Sequence, residues 1–189
     1  HKTFAGPQGG IILSRNLKAF RNIKLCPNVV DSHHPHRIPG LLAALAEYKE
    51  FAKFYAIDTI KNAKALGAAL YNGGFDVLFK DLHYTESHTI LVDVSRLGTG
   101  RAVSKELEKA QIIVNAMQVP RDVVEKRSEP TGLRIGVQEM TRFGMKENEM
   151  KKIAEFMREA VIERRNLNRL VEEVIEFRRG FQELHYCFN

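Results

Sequence analysis

From position 39 to position 70 the apolar residues recur at helical spacing in one long run, and everything after it changes in kind. Leu41, Leu42, Leu45, Tyr48, Phe51, Phe54, Tyr55, Ile57, Ile60, Leu66 and Leu70 trace one helix, or two collinear ones with a break near Asp58. Pro39 suits a first helical turn, and Asn72-Gly73-Gly74 stops the run with residues that accept positive φ. Beyond that stop, short apolar runs alternate with helical ones. Residues 75–79 predict a strand, Thr89-Ile90-Leu91-Val92-Asp93-Val94 a fully buried one, 112–114 a third and 132–137 a fourth. Gly98-Thr99-Gly100 opens a helix over about 101–110, and 146–163 and 167–184 predict two amphipathic helices. Such a chain buries its apolar faces as an α/β sandwich, a small sheet with helices on its face.

Composition shifts near residue 60. Before it stand the loop Gly6-Pro7-Gln8-Gly9-Gly10, a short buried strand expected at Ile11-Ile12-Leu13, and a histidine-rich loop. One strand and one helix bury too little to stand alone. Residues 1–59 are therefore expected to be the remnant of something larger upstream, and 60–189 a self-contained α/β domain. The chain starts at His1 rather than Met, and no basic-then-apolar signal pattern follows. No stretch approaches the ~18 uncharged apolar residues of a membrane span. Cys26 and Cys187 are too few and too distant for a disulfide framework, which makes a reducing cytoplasm the expected compartment.

With 44% hydrophobic and 28% charged residues the chain has the composition of a folded globular protein. Its 29 Lys+Arg against 23 Asp+Glu leave a net charge of +6. That excess does not form a nucleic-acid patch. Between positions 158 and 179 the arginines interleave with Glu159, Glu163, Glu172, Glu173 and Glu176, the pattern of a solvated helix face carrying i,i+4 pairs.

Four groups of residues could carry chemistry. Lys2 stands just before the Gly-Pro-x-Gly-Gly turn, where a desolvated amine could form a Schiff base; the plain alternative is a surface lysine. His33, His34 and His36 have chelating spacing, but no nearby carboxylate or cysteine set completes a zinc tetrahedron. Loop histidines, or phosphate contacts across a dimer interface, are the competing readings, and no metal is expected. Gly98-Thr99-Gly100 could cradle an anion or simply start a helix. Arg134, between Leu133 and Ile135, belongs on a buried strand edge with its side chain pointing one way. It either pairs with an acid such as Glu139 or grips a ligand carboxylate.

Read in order, these stretches resemble serine hydroxymethyltransferases. His1-Lys2-Thr3 with Gly6-Pro7-Gln8-Gly9-Gly10 is similar to the family's Thr-His-Lys-Thr…Gly-Pro-x-Gly-Gly. Glu86-Ser87-His88 with Leu91-Val92-Asp93 resembles its Asp-Asn-His…Leu-Val-Asp, and Leu97-Gly98-Thr99-Gly100 its Leu-Thr-Gly helix start. Val114-Asn115…Val119-Pro120 resembles its Val-Asn…Val-Pro strand. Gly132-Leu133-Arg134-Ile135-Gly136 with Thr141-Arg142-Phe143-Gly144-Met145 is similar to Gly-Ile-Arg-x-Gly…Thr-Arg-x-Gly-Met. The likeness runs from residue 1 to about 160, and Phe4-Ala5-Gly6-Pro7-Gln8 resembles an archaeal-type branch.

The resemblance implies the C-terminal portion of a fold-type-I pyridoxal-phosphate enzyme: the tail of its large domain plus its small α/β domain. It implies a homodimeric enzyme exchanging a one-carbon unit between serine and glycine, with tetrahydrofolate or a modified tetrahydropterin as carrier. Lys2 would hold the cofactor, His1 would lie beside it, and Arg134 would bind the substrate carboxylate. The fragment alone would be inactive. Departures fall on the phosphate and carrier sides: Asp31-Ser32-His33-His34-Pro35 stands for Gly-Gly-Pro, Asn115-Ala116-Met117 for Asn-Lys-Asn, Gln8 for an arginine and Phe143 for another. Another transferase or aldolase of the same fold, or a non-catalytic assembly module, are the alternatives.

Overall fold

The computed structural model describes residues 2, 4–24, 34–120, 122 and 129–188. His1, Cys26 and His33, three positions of interest in the sequence, lie outside them. The chain divides into two compact units, His1–Phe51 and Ala52–Asn189.

In the first unit, helix α1 (Leu17–Lys24) starts behind Asn16, whose side chain accepts the Ala19 N–H at 3.1 Å. A 3₁₀ turn (Pro35–Arg37) leads into α2 (Ile38–Asn72), which crosses into the second unit. The strand expected at Ile11-Ile12-Leu13 is not formed. The three side chains are 64%, 48% and 83% exposed, and the described residues of this unit contain no second strand to pair with them. Apolar content there promised burial, but a strand needs a ladder partner.

Helix α2 runs its 35 residues without a break. The carboxylate of Asp58 is engaged by Lys146 and Tyr186, so it does not compete for the helix's own amides. The helix stops where the glycines predict: Gly74 takes φ 93°, and the Phe75 N–H bonds back to Leu70 O at 3.1 Å.

The second unit is built on a four-stranded antiparallel sheet of β1 (Asp76–Val77), β2 (Thr89–Asp93), β3 (Asn115–Met117) and β4 (Gly132–Gly136), in the order β1-β2-β4-β3. Alternation does the sorting. Val77, Val92 and Leu133 form one cross-strand row and Ile90 pairs with Ile135, all buried. This face packs with Leu66 and Leu70 of α2, Leu107 of α3 (Gly100–Lys109), and Met150 and Met157 of α5 (Glu147–Val161). Helix α6 (Leu167–Arg179) adds Leu170 and Val174, which cluster with Ala110 and Phe156. Of the i,i+4 pairs that the sequence predicts here, Arg169–Glu173 forms at 3.6 Å, and the shorter bonds come from Arg165 in the turn between α5 and α6. Arg165 bonds Glu159 at 2.8 Å and Glu173 at 2.6 Å.

Three strands differ from their sequence pattern: β2, expected to be fully buried, alternates, with Thr89 and Leu91 half-buried on the face away from the core, and β1 and β3 are shorter or later than expected. Phe79 turns left-handed at φ 60°, which ends β1 after Val77 and starts a 3₁₀ turn over Lys80–Leu82. The third strand begins three residues later than 112–114. Gln111 at φ 63° closes α3, the Ile112 N–H bonds Leu107 O, and the hydroxyl of Ser104 donates to Val114 O at 3.0 Å. Ladder pairing is therefore postponed to Asn115, and Ile113 is left 86% exposed.

Behind β4, the short helix α4 (Gln138–Arg142) is held from two sides. Buried Asn62 donates to Thr141 Oγ1 at 2.9 Å and Met145 O at 2.8 Å, and the Tyr55 hydroxyl donates to Gln138 O at 2.9 Å. The C-terminal segment closes over the same corner: the His185 N–H donates to Arg142 O at 2.7 Å, and the Tyr186 ring lies 5.3 Å from that of Tyr55. The Tyr186 hydroxyl donates to Asp58 at 2.7 Å and accepts from Lys146 at 2.7 Å, while Lys146 also pairs with Asp58 at 2.6 Å.

Burial opposes both charges of this trio, but the hydrogen bonds outweigh it. Asp58 is held below the ordinary carboxylate range and Lys146 above the ordinary amine range. A depressed carboxyl contributes stability that is present above its ordinary value and is lost as pH falls through the lower folded value. The stability gap between the native chain and Asp58→Asn should thus be constant from about pH 5 to pH 9 and narrow as pH falls below the ordinary carboxylate value of about 4. Thermal melts across that range check it, and a gap that persists undiminished at acid pH refutes it.

Candidate functional site

Lys2 is exposed, and the loop after it is fastened to the start of α2. The Phe4 ring stacks on Tyr48 with centroids 4.4 Å apart, and the Ala5 N–H donates to the Tyr48 hydroxyl at 3.2 Å. A Cβ on Gly6 would meet the Phe4 ring at 3.0 Å and Ala44 at 3.3 Å, an approach only glycine permits without displacement. Farther along, the Arg37 guanidinium donates to Gln8 O at 2.7 Å. Three anchors therefore fix the backbone beyond Lys2 while its amine stays accessible. Tyr48 sits in the apolar helical stripe and reads as core; only its pairing with Phe4, forty-four positions away, gives it this role.

Arg134 lies in the second unit, on β4. That strand is interior, paired with β2 on one side and β3 on the other, so Arg134 is not at a sheet edge. Leu133 and Ile135 point into the core, and Arg134 stands on the opposite face, half-buried. It is in register with Leu91 and Asn115. No ion pair or side-chain hydrogen bond joins it to another described residue, Glu139 included. Met117 shares its face, whereas Ala116 pairs with Leu133 and belongs to the core side. Of the two carrier-side departures, only Met117 shares a face with Arg134.

The helix start at Gly98-Thr99-Gly100 spends its donors within the protein. Gly100 N–H bonds Pro130 O at 2.7 Å, and the Thr99 side chain accepts from Ala102 N at 3.2 Å. This is a capped helix N-terminus. His34 and His36 meet edge to face at 5.7 Å, and among the described residues no group of three or more His, Cys, Asp or Glu side chains could hold a metal. Among the described residues, no helix is long and apolar enough to cross a membrane.

Over its full length the chain is similar in structure to an L-threonine transaldolase from Pseudomonas fluorescens, with a TM-score of 0.85 and 26% identity, covering 43% of that chain. The fold is that of the C-terminal portion of a fold-type-I pyridoxal-phosphate enzyme. The family model for serine hydroxymethyltransferase matches residues 1–157, and the chain belongs to that family. It is 45% identical over 191 residues to the serine hydroxymethyltransferase of Saccharolobus islandicus and 46% identical over 189 residues to that of Methanothermobacter marburgensis. All of this chain is covered in both alignments, but only 44% of each relative, so it spans under half their length.

Proposed function

We propose that the full protein is a pyridoxal-phosphate-dependent glycine hydroxymethyltransferase, in which residues 1–59 complete the cofactor-binding large domain and residues 60–189 form the C-terminal α/β domain. The observation that carries this is a pair of cations, Lys2 and Arg134, that form no ion pair with another described residue. An accessible lysine on anchored backbone and a half-buried arginine without a partner among the described residues are what a cofactor aldehyde and an amino-acid carboxylate require. The donor set here fits pyridoxal phosphate at the amine; the phosphate and ring contacts come from the rest of the protein. When bound, the cofactor takes up the electron pair left at the α-carbon of the amino acid.

Lys2 holds the cofactor through its amine, His1 lies beside it, and Arg134 orients serine by its carboxylate. Serine gives up its hydroxymethyl carbon to a tetrahydropterin, leaving glycine and water. Met117, an apolar residue on the Arg134 face, favours a modified tetrahydropterin over one that needs an amide there. Ile38, Leu42 and Leu45 of α2, 51%, 60% and 44% exposed, support a homodimer that covers them. We place the enzyme in the cytoplasm, consistent with the free thiol of Cys187.

Borohydride reduction of the full-length protein saturated with pyridoxal phosphate, followed by peptide mapping, is expected to find the pyridoxyl group on Lys2. The chain 1–189 alone is expected to trap it substoichiometrically, because the amine lacks the desolvated pocket that activates such lysines. Label on another lysine, or stoichiometric label on the isolated chain, overturns the assignment. Serine-to-glycine turnover measured beside threonine cleavage separates this activity from a transaldolase-like one.

A further inference from the structure

The face that carries Arg134 depends on a strand too short to place itself. Strand β3 has three residues and, among the described residues, lies at the sheet edge and pairs only with β4. Its Asn115 and Met117 nevertheless share the face of Arg134. Among the described residues, the Asp122 carboxylate bridges the end of β3 and the start of β4. Asp122 Oδ2 accepts the Val119 N–H at 3.0 Å and the Thr131 N–H at 3.1 Å, while its Oδ1 accepts the Thr131 hydroxyl at 2.5 Å. The Asp122 N–H donates back to Val119 O at 2.9 Å. On the far side, Thr131 O accepts the Val94 N–H at 2.8 Å just past β2, and the Val119 side chain fills the space above Gly132. Burial works against the Asp122 charge, but the bonds from Thr131 and Val119 prevail and hold its carboxyl below the ordinary range. It therefore accepts as a carboxylate at neutral pH.

We propose that Asp122 is a positioning residue for the substrate site: its clasp on Val119 and Thr131 fixes β3 against β4 and so sets Asn115 and Met117 relative to Arg134. Stability should depend on it little, because the buried rows of the sheet lie on the other face and on β2 and β4. Binding on the polar face should depend on it strongly, since a small slip of β3 moves groups that must meet the ligand together. Asp122→Asn removes the charge that strengthens these bonds and forces the Thr131 hydroxyl to turn from donor to acceptor, which loosens the clasp.

This rests on the function proposed above, and the test separates the two. In the full-length enzyme, Asp122→Asn is expected to raise the serine KM roughly 3- to 30-fold with kcat within about 3-fold. Thr131→Val, which deletes one of the three bonds, should give a smaller rise in the same direction, and it carries the test if Asp122→Asn does not fold. Amide exchange in the full-length protein should quicken at residues 115–117 by about tenfold or more, with the amides of Ile90 and Val92 unchanged. An unchanged KM in the variants that fold, or exchange that quickens evenly over the sheet, overturns the proposal. If the native enzyme fails to turn over serine, the functional assignment falls, while the exchange pattern still decides the clasp.

Discussion

In the full-length enzyme, Arg134→Lys is expected to raise the serine KM roughly 30- to 1,000-fold, while the melting temperature moves by only about 2 °C. Lysine keeps the charge but loses the planar fork that meets both oxygens of a carboxylate. Losing one partner of a desolvated charge pair costs on the order of 2–4 kcal/mol. Folding is spared because Arg134 makes no side-chain hydrogen bond or ion pair with another described residue. It has no acid partner among the described residues, and its strand is pinned by Leu133 and Ile135 on the core side. Cofactor loading at Lys2 should be unaffected. An unchanged KM beside a large fall in melting temperature would return Arg134 to a structural role.

Gly100→Ala is expected to do the reverse, with a large effect on folding and none on chemistry. A Cβ there would come 2.5 Å from Gly132 O and 2.9 Å from Pro130 O, both backbone atoms with no rotamer to turn aside. Helix α3 would have to lift off β4, at a cost of roughly 2–4 kcal/mol. For a unit of this size that lowers the melting temperature on the order of 5–15 °C. Lys105→Ala, on the exposed side of the same helix, should change it by less than about 0.5 kcal/mol. Equal melting of the two variants would mean that the helix start is looser than its contacts require.

Local rules carried much of this fold. The long helix, its glycine stop, β2, β4 and the three later helices follow from apolar spacing and caps, because each is decided within a few residues of itself. Ile11-Ile12-Leu13 and 112–114 have the same apolar content yet form no strand, since pairing depends on a partner that the segment does not contain. The site divides in the same way. Lys2 and Arg134 stand out through the ordered motifs around them. Tyr48, Asp122 and the Asp58–Lys146–Tyr186 trio stayed illegible, because each acts through a contact fixed by the fold and an isolated Tyr or Asp in a polar stretch carries no mark of it.

The alternation in the sheet has an evolutionary consequence. Positions 90, 92, 133 and 135 answer to the core, and positions 89, 91, 115, 117 and 134 answer to whatever lies on the other side. Selection can therefore exchange Met117 or Asn115 for another residue without repacking a single core side chain, and can repack the core without redrawing the recognition face. On the function proposed above, a lineage whose one-carbon carrier changes can follow it by single substitutions on that face, each screened for chemistry alone, while foldability is inherited intact.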